Sequence, residues 1–230
     1  MSSPDGVPSS APSSVPGRDW YARPVVDVAR DLLGATLTRR TADGVVSLRL
    51  TEVEAYDGAT DPGSHAYRGL TRRNATMFGE PGRLYVYRHL GLHHCVNVVC
   101  GQEGEASAVL LRAGEVVHGT DLARSRRLAS GVARTDRDLA RGPARLAVAL
   151  GLDLSDDGAD VTHRDDAVVL IRPPAEPVPS AGPAGAPAVL RTGPRVGVSG
   201  DGGRADLFPW RFWLDEEPTV SAYRAAPART

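Results

Sequence analysis

Residues Val45–Ala55 read VVSLRLTEVEA, and this stretch decides the fold. It is rich in β-branched and aliphatic residues and lacks glycine and proline, so it predicts a strand. Side chains alternate along a strand, which would put Leu48, Leu50, Glu52 and Glu54 on one face. A carboxylate at the end of an apolar strand, aimed at a pocket, can take a proton from water. The alternative for Glu54 is an exposed strand residue.

Outward from this stretch, the turn Ala42-Asp43-Gly44 joins it to a shorter strand at Ala35–Leu37. Before that, Val25–Gly34 reads as a helix stopped by Gly34. Downstream, the chain from Gly58 to Pro81 is loop-rich. Leu84–Tyr87, Cys95–Val99, Ala108–Arg112 and Ala167–Arg172 are short apolar strand candidates. Helices are expected at Gly119–Ala129 and at Pro143–Gly151, the latter opening on proline and closing on glycine. Leu207–Leu214 reads as a last strand, with Trp210, Phe212 and Leu214 alternating against Arg211 and Trp213. The expected fold is mixed α/β (α+β), a single domain with a largely antiparallel, curved sheet flanked by helices.

The chain has 230 residues, which suits one domain with a substantial core. With 41% hydrophobic and 24% charged residues, it falls in the soluble globular class. No run approaches the ~18 apolar residues of a membrane span. The Ser/Pro/Gly-rich residues 1–18 read as a disordered tail and not as a secretory signal. Residues 19–222 form the expected domain, 173–187 (PPAEPVPSAGPAGAP) a flexible loop within it, and 223–230 a frayed tail. Two cysteines, Cys95 and Cys100, do not make a disulfide framework and fit a reduced, cytoplasmic setting. All 27 basic residues are arginine. That removes lysine Schiff-base chemistry and the phosphate-loop lysine.

The net charge of −1 is unevenly spread. Residues 64–145 hold 13 arginines and 7 acids, whereas both flanks are acidic. A basic middle is the electrostatic footprint of a nucleic-acid site. Arg124, Arg126, Arg127, Arg134 and Arg137 could equally decorate a solvated helix face. Tyr56, His65, Tyr85 and Tyr87 are candidate flat walls for an aromatic ligand. Arg112 closes a buried-looking strand and needs a partner, for which Glu54 is the natural choice. His89, His93 and His94 invite a metal reading, but neither a zinc-protease glutamate nor a paired-cysteine motif accompanies them. Gly197–Gly203 (GVSGDGG) reads as a turn.

Taken in order, these motifs closely resemble the mammalian-type alkyladenine (3-methyladenine) DNA glycosylases. The resemblance rests on Glu52-Val53-Glu54-Ala55-Tyr56, Ser64-His65, Arg73-Asn74, Met77-Phe78, Pro81-Gly82, Leu84-Tyr85-Val86-Tyr87, Cys95-Val96-Asn97 and Val109-Leu110-Leu111-Arg112-Ala113. Gly142-Pro143 with Leu146, Arg195-Val196-Gly197-Val198 and Trp210-Arg211-Phe212 continue it. Each motif is weak alone, and the ordered set, spanning residues 20–222, is specific.

The resemblance implies a base-excision repair enzyme that flips a damaged purine out of duplex DNA and hydrolyses its N-glycosylic bond, leaving an abasic site. By position, Glu54 corresponds to the general base and Arg112 to the residue that helps hold the water, with the carbonyl of Val220. Tyr56, His65 and Tyr87 correspond to the rings around the flipped base, and Asn97 to the residue that crowds the purine edge. Arg72, Arg73, Asn74, Met77, His93 and Leu90 are the expected DNA-contacting residues. Leu90 stands where the family has a wedge tyrosine, and Arg88 and His89 are polar where apolar residues are usual. The implied partner is double-stranded DNA containing damaged purines, bound by a monomer that is cytoplasmic and nucleoid-associated. No cofactor, no metal and no membrane are expected. The competing readings are a non-catalytic damaged-DNA recognition protein, a metal-dependent hydrolase built on the histidines, and a glycosylase for another base such as uracil.

Overall fold

The strand predicted at Val45–Ala55 is the spine of the molecule. In the computed structural model, which describes residues 15–162, 169–180 and 189–227, it runs as β2 from Gly44 to Asp57. It follows helices α1 (Arg18–Tyr21) and α2 (Val25–Leu32) and strand β1 (Thr36–Thr41). After it come β3 (Leu84–His89), β4 (His93–Cys100), β5 (Ser107–His118), α3 (Thr120–Ala129), α4 (Pro143–Leu150), β6 (Val169–Arg172), β7 (Leu190–Gly193) and β8 (Arg211–Leu214). The eight strands form one sheet in the order β3-β4-β5-β2-β1-β6, with β7 and β8 off this path, and every pairing is antiparallel. The fold is mixed α/β in a single domain.

β2 changes neighbours along its length. Its first half pairs with β1, and at Glu52–Glu54 the same edge is taken over by β8. On the other edge its register with β5 shifts between Leu50 and Glu52 and again between Glu52 and Val53. Such a bulge breaks the two-residue alternation. Val46, Leu48 and Leu50 enter the main core, and beyond the bulge the core residues are Val53 and Ala55. Glu52 and Glu54 therefore turn to the opposite face from Leu48 and Leu50. This corrects the strict alternation expected from sequence.

The main core lies on the helix-covered face. α2 buries Val25, Val28, Ala29 and Leu32, the spacing of an amphipathic helix against a sheet. α4 begins at Pro143 and ends at Gly151, whose φ of 68° lets its N–H close on the Ala147 and Val148 carbonyls. The same alternation puts Leu84, Val86, Val96, Val98, Val109 and Leu111 in this core. Their neighbours Tyr85, Val99 and Ala108 instead join Ala66, Met77 and Ala106 in a second, smaller cluster.

Several boundaries differ from the sequence reading. The last strand begins at Arg211 and not at Leu207, because Pro209 cannot donate to a ladder. Phe212 and Leu214 do face the core, and Trp210 packs on its edge. β7 and α1 are four residues each and carry no periodicity to read. Ordered contacts begin before residue 18: Val15 is buried, and Arg18 donates to Pro81 O and Asp160, each at 2.6 Å. Residues 1–14 of the expected tail, 181–187 of the expected loop and 228–230 lie outside the described residues. The first part of that loop is anchored, with Val178 packed on the core and Pro179 O accepting from Leu190 N at 2.9 Å. Arg224 O accepts from Gly197 N at 2.9 Å. The α3 arginines are structural in part. Arg126 donates to the α4 terminal carbonyl of Leu150 at 3.0 Å, and buried Arg127 to Val132 O at 3.1 Å. Arg134 and Arg137 are exposed.

Candidate active site

The face of the sheet opposite the main core carries a buried charge network. Glu54 is fully buried and accepts three hydrogen bonds. Val196 N donates to Oε1 at 2.7 Å, and Oε2 receives Tyr56 OH at 2.8 Å and Arg112 Nη1 at 3.3 Å. Arg112, on β5, also reaches Glu52 through Nε at 2.9 Å. Burial alone would lower the Arg112 pKa, but Glu54 and then Glu52 outweigh it and raise it. The pairing of Arg112 with Glu54 expected from sequence is present, with Glu52 as a second partner. Burial, reinforced by Glu54, raises the Tyr56 pKa well above that of a free phenol.

Rings border this network. Tyr85 and Tyr87 alternate on β3 with core residues and stack at 5.4 Å between centroids. His65 meets the edge of Tyr87 at 4.6 Å and 80°. His65 is exposed overall, and its ring is partly desolvated against Tyr87. That desolvation, then Arg73 and His89, lower its pKa and favour the neutral imidazole. Burial pushes the Tyr85 phenol up to about 12, and burial with Cys95 raises Tyr87 too. Asn97 is buried on β4, its amide donating to Tyr85 O at 3.0 Å.

Tyr56 is backed from below by Arg195, whose guanidinium carbon lies 4.5 Å from the ring centroid. Arg195 is fully buried and donates to Asp61 Oδ1 at 2.6 Å, Gly202 O at 2.7 Å and Ala55 O at 2.8 Å. Gly63 makes room for it: a Cβ there would lie 2.5 Å from Arg195 Nη2. Gly63→Ala is therefore expected to cost roughly 1–3 kcal/mol, as overpacking does. A urea midpoint equal to that of the wild type would refute this. The segment after Gly197 is the expected turn, a short 3-10 helix at Asp201–Gly203.

At the rim, Leu90 and Leu92 are 79% and 76% exposed at the β3–β4 hairpin tip. Leu90 has φ of 49° and Gly91 of 70°, and Leu92 N closes the turn on His89 O. A leucine in the left-handed region costs about 1–2 kcal/mol, so the tip holds it there against its own preference. Arg72, Arg73 and His93 are exposed near by, with Arg73 lying 5.3 Å over Tyr87.

A sequence model of the methylpurine-DNA glycosylase family matches residues 19–218. The chain belongs to that family. Three similar proteins carry the name "Putative 3-methyladenine DNA glycosylase". One, from Streptomyces avermitilis, is 55% identical over 221 residues, covering 96% of this chain and 97% of the relative. Those from Leifsonia xyli subsp. xyli and Nocardia farcinica are 56% and 50% identical, covering 93% and 86% of this chain and 94% and 87% of theirs.

In this methylpurine-DNA glycosylase, the structure gathers Glu54, Tyr56, His65, Tyr87, Asn97 and Arg112 on one face. Two residues expected at the DNA surface lie beneath it. Asn74 is 2% exposed, and its amide staples the loop instead. It accepts from Thr71 N and Oγ1, and donates to the His65 and Gly69 carbonyls. Met77 is buried among Ala66 and Tyr85. Both pack within the loop that carries His65. The Val220 carbonyl accepts from Arg141 Nε at 2.9 Å, a contact the sequence reading missed. It also missed the Arg195–Asp61 pair and the burial of Arg211 against Glu52 at 2.7 Å. The one available signal was an arginine alternating with core residues on a strand, as in Arg211. Among the described residues, no group of three or more His, Cys, Asp and Glu is placed to hold a metal ion, and no helix is long and apolar enough to cross a membrane. A separate cavity of about 370 Å3, lined by Arg23, Asp57, Glu105 and Trp210 among others, includes none of the network residues.

Proposed function

We infer that this protein is a base-excision repair glycosylase of the 3-methyladenine type, acting on alkylated or deaminated purines in double-stranded DNA. The observation that carries this reading is the buried Glu54 carboxylate, paired with Arg112 and bordered by Tyr56, Tyr87 and His65. A base inside a duplex is out of reach of such a site, so the target must be flipped out, at a cost of a few kcal/mol. Tyr56, His65 and Tyr87 take the flipped base between their faces, and Asn97 limits what fits along its edge. A cationic methylated purine gains ~0.5–2 kcal/mol against such rings, and neutral His65 does not repel it.

Water oxygen then bonds to the sugar C1′ while the glycosylic C–N bond breaks, its electron pair leaving with the base; a cationic base leaves neutral, and a neutral one takes up a proton from solvent as it leaves. Glu54 accepts the proton of the water, and its charge steadies the oxocarbenium-like sugar. Arg112 and the Val220 carbonyl hold the water. That carbonyl has two lone pairs, so the bond from Arg141 leaves one for the water. The products are a free base and an abasic site in an intact strand. Residues 19–222 carry the activity as a monomer, without metal or nucleotide cofactor, in the cytoplasm at the nucleoid.

Leu90 fills the gap left by the flipped base, aided by exposed Arg72, Arg73 and His93 along the backbone. Leu90→Tyr is expected to tighten binding to an abasic-analogue duplex by about 1–3 kcal/mol, the worth of a base–aromatic stack. Equal affinity of the two proteins would count against Leu90 as a wedge weaker than tyrosine. The function itself is tested by base release from alkylated and hypoxanthine-containing duplexes in the presence of EDTA. Release that survives EDTA supports the reading. Lesion-selective binding without release points to a recognition protein, and loss with EDTA to a metal enzyme.

A further inference from the structure

Glu52 is as buried as Glu54 and has no part in the chemistry above. Its two oxygens tie β5, in the middle of the chain, to β8 and the segment that follows it. Oε1 accepts from Arg112 Nε at 2.9 Å, Arg211 Nε at 2.7 Å and Ser221 Oγ at 3.0 Å. Oε2 accepts from the backbone N of Ser221 at 2.8 Å. That N–H belongs to the peptide whose carbonyl is Val220 O. One carboxylate thus grips both the guanidinium and the peptide unit that hold the water. The surroundings close the arrangement. Arg211 Nη2 donates to Ser221 O at 2.8 Å, Arg112 Nη2 to Ser221 Oγ at 3.3 Å, and Thr219 Oγ1 bonds Thr51 Oγ1 at 2.9 Å.

We propose that Glu52 is a positioning residue that holds Arg112 and the Val220 carbonyl in one register, so that the water meets both at once. This rests on the reading that these two groups hold the water. The geometry favours it over a purely structural ion pair. A salt bridge to Arg112 needs one oxygen, whereas here the second oxygen is spent on a backbone N–H that adjoins the Val220 carbonyl. Arg211 then ties the far side of Ser221 to the same carboxylate. A misplacement of about 1 Å can cost about 100-fold in rate, which is the scale expected here.

The test compares Glu52→Gln, Glu52→Asp and Arg112→Met with wild type, by single-turnover base release and by affinity for an abasic-analogue duplex. Rates are normalised to the protein competent to bind that duplex. Glu52→Asp keeps the charge that both arginines need, but is too short to touch Arg112 and the Ser221 N–H together. The expected result is a fall of about 100-fold in rate for both Glu52 variants, with affinity within about threefold of wild type. A structural role alone would leave the normalised rate unchanged. Rates within about threefold of wild type overturn the proposal, as does parallel loss of rate and affinity. Failure of both Glu52 variants to yield any DNA-binding protein assigns Glu52 to the core and overturns it too. Arg112→Met separates the two levels. If it keeps full rate, the water-holding reading falls. If it loses rate while the Glu52 variants do not, only the positioning role falls.

Discussion

Glu54→Gln is expected to lower single-turnover base release by about 100- to 10,000-fold, the range of a general acid–base group. Glutamine keeps the shape of the side chain and an oxygen for the Val196 N–H. It cannot take a proton from water, and it brings no negative charge to a developing sugar cation. Arg112 retains Glu52 at 2.9 Å, so its charge is not stranded. Tyr56 can accept from the new amide instead of donating. The variant should therefore fold and still bind lesion-containing duplex within a few-fold of wild type. Single-turnover release and duplex affinity, measured side by side, decide the matter. A rate within tenfold of wild type would remove Glu54 from the role of base.

The largest stability effect is expected from Arg195→Met, a loss of about 3–5 kcal/mol, the cost of stranding one member of a buried ion pair. Asp61 would be left charged at 0% exposure, and the carbonyls of Ala55 and Gly202 would lose their donor. Tyr56 would lose the cation beneath its ring, and the strand-edge segment that aims Val196 N at Glu54 would lose its anchor. Urea unfolding of Arg195→Met, Asp61→Asn and the double variant checks this. The double variant should be much less destabilised than the sum of the singles, since the two residues share one interaction. Additive losses would mean that the pair is not a unit.

What was legible in the sequence was local. An apolar run ending in acids announced β2, and an unpaired arginine at the end of an apolar strand announced its carboxylate partner. Ordered short motifs announced the rings and singled out Leu90. What was not legible depends on chain segments far apart. Nothing near Arg195 signals Asp61, 134 residues away, and nothing near Val220 signals Arg141. Asn74 and Met77 look like surface loop residues because their loop is polar, yet the loop folds back on their side chains. The phase of β2 was misjudged because a bulge is a property of pairing with β5, and alternation within one strand cannot reveal it.

That bulge makes β2 two instruments on one string. Up to Leu50 the even-numbered residues support the core, and from Val53 onward the odd-numbered ones do, which turns Glu52 and Glu54 toward Arg112 on the opposite face. Point changes at these two positions act on the charge network while leaving the hydrophobic interior alone. Gain or loss of a single residue between Leu50 and Val53 would exchange the two sets, sending carboxylates inward and aliphatic groups into the pocket. At this one place the strand is thus far less tolerant of changes in length than of substitution.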